Sequence, residues 1–206
     1  MLEGRYCRLE PLDPVRHGDA LFEASMAPGA EDRFRWLPEG PQDRAGYQGW
    51  LERSARLEDP MFFAAIDRAS GRAEGRQALM RIVPEHGVIE VGSILWGPRM
   101  ARSRVATEAF FLHARYIFDE LGYRRFEWKC NELNQPSRRA AARFGFTYEG
   151  VFRQHMVVKG RSRDTAWFSM LDGEWPRLKA AYERWLDPAN FDEQGRQRSG
   201  LASFMA

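Results

Sequence analysis

The sequence is poor in the residues that build disulfide frameworks and metal centres. Its 206 residues include two cysteines, Cys7 and Cys130, and four histidines that lack the spacing of metal ligands. Two cysteines this far apart form neither a disulfide framework nor a zinc site, so we expect a reducing compartment and no metal ion.

Long apolar runs and a dominant charge of one sign are missing as well. No segment approaches the length of a membrane span, and the N-terminus lacks a basic start followed by an apolar stretch, so we expect a cytoplasmic protein without a membrane partner. The 31 Lys and Arg residues nearly balance 29 Asp and Glu residues. This balance argues against nucleic acid as a partner.

Apolar periodicity and turn residues predict an alternation of strands and helices. One strand and two helices precede three antiparallel strands, a helix, a strand, a helix, two strands and a last helix. Within residues 125–130, apolar and charged residues alternate, which predicts a strand with two unlike faces. This order is typical of an α+β (mixed α/β) fold with one sheet. We expect the domain to span residues 1–186, because residues 187–206 are polar and resemble a mobile tail.

The segment from Trp96 to Val105 predicts an anion site. A strand, a loop and a helix in this order leave the first-turn amides free and direct the positive end of the helix dipole outwards. Arg102 and Arg104 in this loop would add positive charge. The alternative interpretation is a solvated basic turn beside an ordinary buried helix, and this segment alone does not decide between them.

Two motifs resemble the GNAT superfamily of N-acetyltransferases. Residues 106–109, Ala-Thr-Glu-Ala, are similar to the start of that family's phosphate-binding helix. Asn134–Ser137 followed by Arg143–Phe146 resembles its second signature, an Asn and a Ser at the start of a helix that ends in Gly-Phe. The second likeness is the stronger of the two.

The phosphate loop departs from the family at two positions. Ala101 stands where Arg or Gln is usual, and Arg104 stands where Gly is usual. Since Gly permits close approach of the backbone to a phosphate, we expect the side-chain charge of Arg102 or Arg104 to replace that contact here. Residues 148–153 and 161–164 further resemble the branch of bacterial ribosomal-protein N-terminal acetyltransferases.

The resemblance implies the GNAT fold, in which a single, mostly antiparallel sheet of about seven strands is flanked by helices on both faces. It also implies direct transfer of the acetyl group of acetyl-CoA, the cosubstrate, to a primary amine of a small molecule or a protein N-terminus. The residues that the resemblance assigns to cofactor binding are Leu95, Trp96, Arg102, Ser103, Arg104, Val105, Ala106, Thr107 and Asn134.

The resemblance also suggests catalytic residues. In the family, the Ser of the second signature or a Tyr one turn later protonates the departing thiolate, and Ala141 occupies the Tyr position here, which leaves Ser137. A base must accept the amine proton. Glu90, the one carboxylate of its strand, is the first candidate and Glu127 the second. A solvent-exposed charge at Glu90, mutual pairing of charges around Glu127 and a base acting through water are the alternatives.

Three aromatic residues, Phe34, Trp36 and Trp50, belong to the early helical region, which flanks the acceptor cleft in this fold. They are candidates for the wall of a substrate pocket. Aromatic residues at such spacing more often pack in a core, and for Trp50 we prefer that interpretation.

Two other functions remain compatible with the sequence. A non-catalytic acyl-CoA-binding module is suggested by the departures at Ala101, Arg104 and Ala141. An RNA-associated protein is suggested by arginines such as Arg138 and Arg139, although basic residues on one helix are more typical of a solvated face or a cofactor phosphate contact. The sequence identifies neither the acceptor amine nor the oligomeric state, so a homodimer stays open.

Overall fold

The computed structural model describes residues 1–205 and contains one eight-stranded sheet. The strands lie in the order β1-β2-β3-β4-β5-β6-β8-β7, and only the pair β5–β6 is parallel. The predicted fold class is confirmed, with a short first strand raising the number from about seven to eight. The strands are β1 (Leu2–Glu3), β2 (Cys7–Pro11), β3 (Met61–Asp67), β4 (Arg72–Val83), β5 (Val88–Trp96), β6 (Arg125–Asn131), β7 (Thr147–Val158) and β8 (Arg161–Leu171).

Seven α-helices of the described residues accompany this sheet. Asp13 caps the first helix, accepting hydrogen bonds from the amides of Val15 and Arg16, and Pro14 occupies the first helical position. The fourth helix continues into a π-helical turn over Tyr116–Glu120. The helices are α1 (Pro14–Met26), α2 (Ala30–Phe34), α3 (Arg44–Ser54), α4 (Arg104–Arg115), α5 (Gln135–Arg143), α6 (Trp175–Trp185) and α7 (Ala202–Met205).

Two hydrophobic cores lie on opposite faces of the sheet. Residues 62, 64 and 66 of β3 face one core with α1–α3, whereas residues 63 and 65 face the other core with α4 and α6. The α4 core is rich in aromatic rings: Phe110 stacks on Phe126 and Phe144, with ring centroids 5.6 and 4.6 Å apart. Helices therefore cover both faces, as the resemblance implied.

The predicted alternation in β6 is confirmed. Phe126, Trp128 and Cys130 are buried in the α4 core, while Glu127 and Lys129 point to the opposite face. Because a strand places successive side chains on opposite sides, β6 carries an apolar face and a charged face at the centre of the sheet.

The parallel pair β5–β6 separates partway along its length. The ladder runs from Val88 opposite Arg125 to Val91 opposite Trp128 and then stops. Beyond Val91, β5 contains a bulge against β4, and Ser93 adopts a left-handed backbone with φ of 48°. The two strands therefore diverge and leave a gap in the middle of the sheet, which we call the splay cleft.

The C-terminal segment packs against the domain. Phe191 and Leu201 are buried in the α4 core, and Trp185 donates from Nε1 to Oε1 of Gln197 at 3.0 Å. The boundary drawn at residue 186 from polarity is therefore not the edge of the core, because a few apolar residues among many polar ones are sufficient to dock the chain. None of the helices within residues 1–205 is long and apolar enough to cross a membrane.

Candidate active site in the splay cleft

The splay cleft has a volume of about 400 Å³. Its floor is formed by the diverging ends of β5 and β6. One side is the start of α5, which we call the α5 side. The other side is formed by the β7–β8 hairpin, by β4 and by the loop that follows α2, and we call it the hairpin side.

On the α5 side, Ser137 is held by two hydrogen bonds. Its amide donates to Oδ1 of Asn134 at 3.2 Å, which makes Asn134 the cap of α5. Its Oγ accepts from Nε1 of Trp128 at 3.0 Å. Since an indole N–H can only donate, this bond does not use the hydroxyl proton of Ser137. All three residues line the cleft.

Cys130 lies beside this group and also lines the cleft. Burial raises the pKa of its thiol, and a hydrogen bond with Ser137 opposes that rise only in part. A thiol with a raised pKa is protonated at neutral pH and is a poor nucleophile. The α5 side is therefore uncharged.

The hairpin side is charged. Glu90, 4% exposed, forms ion pairs through Oε2 with Arg81 at 2.7 Å and Lys129 at 3.0 Å. Lys129 also pairs with Glu127 at 2.7 Å. Arg125 joins the network through Glu127 at 2.7 Å. Glu90 borders the cleft and Glu127 does not, so the two base candidates differ in access. The burial of the Glu127 carboxylate is explained by its ion pairs with Arg125 and Lys129, the alternative considered from the sequence.

Two residues of the hairpin complete this side, and sequence reasoning did not select either of them. Nδ1 of His155 and Oγ1 of Thr165 share a hydrogen bond of 3.0 Å. Partial loss of solvent, reinforced by the charges of Arg81 and Arg163, lowers the pKa of His155, so its ring is neutral at neutral pH. Arg163 is half-buried, and its Nε is buried without a hydrogen-bond partner among residues 1–205.

The turn of the hairpin contacts the C-terminal end of α2. Nζ of Lys159 donates to the carbonyl oxygen of Phe34 at 3.0 Å. Of the three aromatic candidates, Trp36 lines the cleft, whereas Phe34 is buried in the α1–α3 core. Trp50 stacks on Tyr47 in that same core, as preferred from the sequence.

The predicted anion site lies at the start of α4. Ser103 caps the helix, and its Oγ accepts from the amides of Val105 at 3.1 Å and Ala106 at 3.4 Å. The amides of Arg102 and Arg104 donate to no acceptor within residues 1–205. Arg102 takes the left-handed backbone, with φ of 61°, that a glycine would adopt without strain. Successive amides around such a residue form a concave site for an anion.

The guanidinium group of Arg104 does not point to this site. It lies over the ring of Tyr6, 4.3 Å from the centroid, and near the ring of Phe191 at 5.3 Å. Cation–π contact with two rings from distant parts of the chain therefore directs this side chain away, and it joins the C-terminal segment to the domain. Side-chain charge at the start of α4 is left to Arg102 and to Arg143.

Arg143 connects α5 to α4. Its Nη1 donates to Oγ1 of Thr107 at 3.1 Å, and this hydroxyl donates in turn to the carbonyl oxygen of Ser103 at 3.3 Å. Burial lowers the pKa of Arg143, and a guanidinium group keeps its charge in proteins even so. The next residue, Glu108, is buried and accepts hydrogen bonds from the amides of residues 5–7. The Glu of the Ala-Thr-Glu-Ala motif therefore attaches the N-terminal segment to α4.

Leu95 and Trp96 lie just beyond the irregular part of β5. Both keep regular partners in β4, Leu95 opposite Arg76 and Trp96 opposite Gly75. The bulge against β4 falls at residues 93 and 94, and the backbone of β5 from residue 92 to residue 96 has no partner in β6. The Trp96 side chain still lines the cleft, and its Nε1 donates to Oε1 of Gln77 at 3.2 Å.

Within residues 1–205, no three His, Cys, Asp or Glu side chains are grouped to hold a metal ion.

Comparison with known proteins bears on this geometry. The model of the acetyltransferase (GNAT) domain matches residues 8–147. The chain is similar to a GCN5-related N-acetyltransferase from Brucella melitensis, with 60% identity, a TM-score of 0.97 and coverage of 99% of this chain and 93% of that one. It is also similar to a probable acetyltransferase of the GNAT family from Chromobacterium violaceum, with 43% identity, a TM-score of 0.79 and coverage of 85% and 87%.

A more distant structure shares the fold alone. It is the ribosomal-protein-S5-alanine acetyltransferase from Vibrio fischeri, at 16% identity and a TM-score of 0.66, with 84% of this chain and 97% of that one covered. No curated protein shows a significant match to the chain. The domain match and the 60% identity to the Brucella protein show that this chain belongs to the GNAT family and is an acetyltransferase.

Proposed function

We propose that the protein transfers the acetyl group of acetyl-CoA directly to a primary amine in the splay cleft. The observation that carries this proposal is the divergence of β5 from β6, which opens the centre of the sheet between a hydroxyl donor and a carboxylate. An acyl transfer to an amine needs such a pair, because one proton must leave the amine and another must reach the departing sulfur.

Acetyl-CoA supplies the reactive thioester, and the residues at the start of α4 fit its phosphates. The free amides of Arg102 and Arg104, the charge of Arg102 and the positive helix end suit a pyrophosphate. Ser103 shapes this turn, and Val105, Ala106 and Thr107 form the first helical turn. Asn134 borders the cleft where the pantetheine arm would pass. The unpaired backbone at residues 92–96 would hydrogen-bond the arm and polarise the acetyl carbonyl, a role that the resemblance gives to Leu95 or Trp96.

Ser137 is our candidate for the general acid. Its hydroxyl accepts from Trp128, which stabilises negative charge as it develops on Oγ, and its own proton, which this bond does not use, can turn from the neighbouring Cys130 sulfur to the leaving sulfur. The hydroxyl lies on the uncharged side of the cleft, where the low dielectric strengthens each hydrogen bond.

Glu90 is our candidate for the general base. Both of its ion pairs involve Oε2, so Oε1 takes part in neither and can accept the amine proton directly or through a water molecule. Replacing Glu90 with Gln should abolish or shift the rise in rate at alkaline pH. An unaltered pH profile of kcat/KM would rule out this role.

For the acceptor we retain two classes, a small amine and a protein N-terminus. The second class rests on the likeness of residues 148–153 and 161–164 to the ribosomal-protein N-terminal acetyltransferases. A non-catalytic acyl-CoA-binding module is the alternative function.

Measuring free CoA release tests the proposal. The purified protein should release CoA from acetyl-CoA in proportion to added amine, and mass spectrometry should find the N-acetylated product. Binding of acetyl-CoA without release, across a panel of small amines and peptides, would favour the non-catalytic module. If acetyl-CoA neither bound to the protein nor raised its Tm, both the acetyltransferase and the non-catalytic module would be ruled out.

A further inference from the structure

The hairpin side of the cleft carries one cation that the protein itself does not neutralise. Arg163 forms neither a hydrogen bond nor an ion pair through its side chain with any of the described residues 1–205, and its Nε is buried. An unpaired polar group costs free energy when it loses water, so a half-buried guanidinium without a partner is expected to serve a ligand.

The position of Arg163 in the sheet places it at the open end of the cleft. Thr165, two residues further along β8, pairs with Asn131, the last residue of β6. Arg163 itself pairs only with Met156 of β7. Successive strand residues rise by about 3.3 Å, so the Arg163 backbone lies roughly 7 Å past the end of β6. Its side chain lines the cleft and interacts electrostatically with Glu90 and Cys130.

The remaining charges around the cleft compensate one another. Three cations face three carboxylates in one network, in which Arg125 also pairs with Glu149 at 2.6 Å. Asp32 and Arg33 of α2, on the hairpin side, add one charge of each sign. His155 is neutral at neutral pH because its pKa is lowered. The cleft therefore has an excess of about one positive charge, located at Arg163.

One excess positive charge in a cleft of about 400 Å³ matches one carboxylate better than a doubly charged phosphate. A guanidinium group presents paired N–H donors that fit both oxygens of a carboxylate. Leu37, Met80 and Met156 add apolar surface to the same cleft. The cleft thus combines an anion contact with room for an apolar side chain.

We propose that the acceptor amine itself carries a carboxylate, bound by Arg163, so that the substrate class is an apolar amino acid or a close analogue. This inference rests on the proposed acetyl transfer and specifies its acceptor. The reaction forms an amide bond between the acetyl carbon and the amine nitrogen, breaks the thioester bond, and moves one amine proton, by way of the protein, to the CoA sulfur.

Paired acceptors test the inference. Leucine, methionine and phenylalanine are compared with leucinamide, methioninamide and phenylalaninamide, with kcat/KM calculated per neutral amine. The amino group of an amino-acid amide is less basic than that of the amino acid, so a larger fraction of it is neutral. Calculating kcat/KM per neutral amine therefore prevents a false preference for the amides. We expect the carboxylates to be preferred at least tenfold.

Two variants assign the preference to Arg163. Arg163→Met should lower kcat/KM for the amino acids about tenfold and change that for the amides less than twofold, whereas Arg163→Lys should keep part of the preference. As a readout that does not depend on turnover, N-acetylleucine should raise the Tm of the wild-type protein in the presence of CoA, but not that of Arg163→Met. Acetyl-CoA binding by each variant shows that it is folded.

Other outcomes would overturn the inference. Equal or better use of the amides, an equal loss for both series in Arg163→Met, or a preference for peptides whose carboxylate is many residues from the amine would each contradict it. In all three cases CoA is still released, so the acetyltransferase proposal stands. Absence of CoA release with every amine would instead refute that proposal.

Discussion

The two sides of the splay cleft are built in opposite ways. The α5 side is uncharged and short-range: Asn134 caps the helix turn that contains Ser137, and Trp128 lies only nine residues before that serine. The hairpin side is charged and long-range, with Arg81, Glu90, Lys129 and Arg163 contributed by four different strands. We infer that the first side carries the proton donor, whereas the second combines structural ion pairs with acceptor recognition.

Removing the central cation of the hairpin side gives the largest expected effect. Lys129 is 5% exposed and bridges Glu90 and Glu127, so Lys129→Met leaves two buried carboxylates with less compensation. Loss of one partner from a buried ion pair costs about 3 kcal/mol of unfolding free energy. Urea denaturation measures this loss, and the double variant Lys129→Met/Glu127→Gln should recover part of it. A loss below about 1 kcal/mol would mean that the network is solvated like a surface ion pair.

The α5 side should show the reverse pattern. Ser137→Ala removes a hydroxyl without leaving a buried charge, so the unfolding free energy should fall by no more than about 1 kcal/mol. If Ser137 is the acid, kcat should fall about 100-fold, with little change in the affinity for acetyl-CoA. Ser137→Thr, which retains the hydroxyl, is the matched control. If kcat were unchanged in Ser137→Ala, Ser137 would not be the proton donor, and the α5 side would have no catalytic role that distinguishes it from the hairpin side.

A neutral network that reaches the cleft through Trp96 predicts a pH effect on stability. Nε2 of Gln77 lies 3.0 Å from Nδ1 of His113, and the same glutamine accepts from Trp96 at the cleft. Complete burial lowers the pKa of His113 to about 3, while the unfolded chain titrates near 6.5. Between these values the unfolded state binds more protons, so stability decreases as pH falls below about 6.5.

At pH 5 this linkage amounts to about 2 kcal/mol relative to pH 7.5. His113→Gln removes the titrating group, and the difference between wild type and variant isolates its contribution from that of the carboxylates. Denaturation curves at the two pH values measure it. An equal pH dependence in both proteins would show that His113 is protonated in the folded state.

The comparison also explains what the sequence could predict. The fold class, the two-faced strand β6 and the motif at Asn134–Ser137 depend on local periodicity and on a helix start, which are visible in neighbouring residues. Arg163 and His155 could not be selected, because the pairing of β8 with β6 and the contact of Lys159 with Phe34, 125 residues away in the chain, bring their hairpin to the cleft. A hairpin turn is readable from the sequence, but the surface on which it docks is not.

Arg104 shows the same limit within a recognised motif. Its place in the phosphate loop suggested a phosphate contact, yet the rings of Tyr6 and Phe191, from the two ends of the chain, determine where its guanidinium lies. Polarity alone likewise set residues 187–206 apart, although Phe191 and Leu201 are buried. Contacts between distant segments therefore account for both differences.

A crystal structure of the protein with bound CoA tests the central claim most directly, namely that cofactor and acceptor meet in the splay cleft from opposite sides. We predict the pyrophosphate at the amides of Arg102 and Arg104, and the sulfur within about 3.5 Å of Oγ of Ser137. The hairpin side, including Arg163, should remain open for the acceptor. A sulfur atom outside the divergence of β5 and β6, or one on the hairpin side against Glu90, would contradict this account.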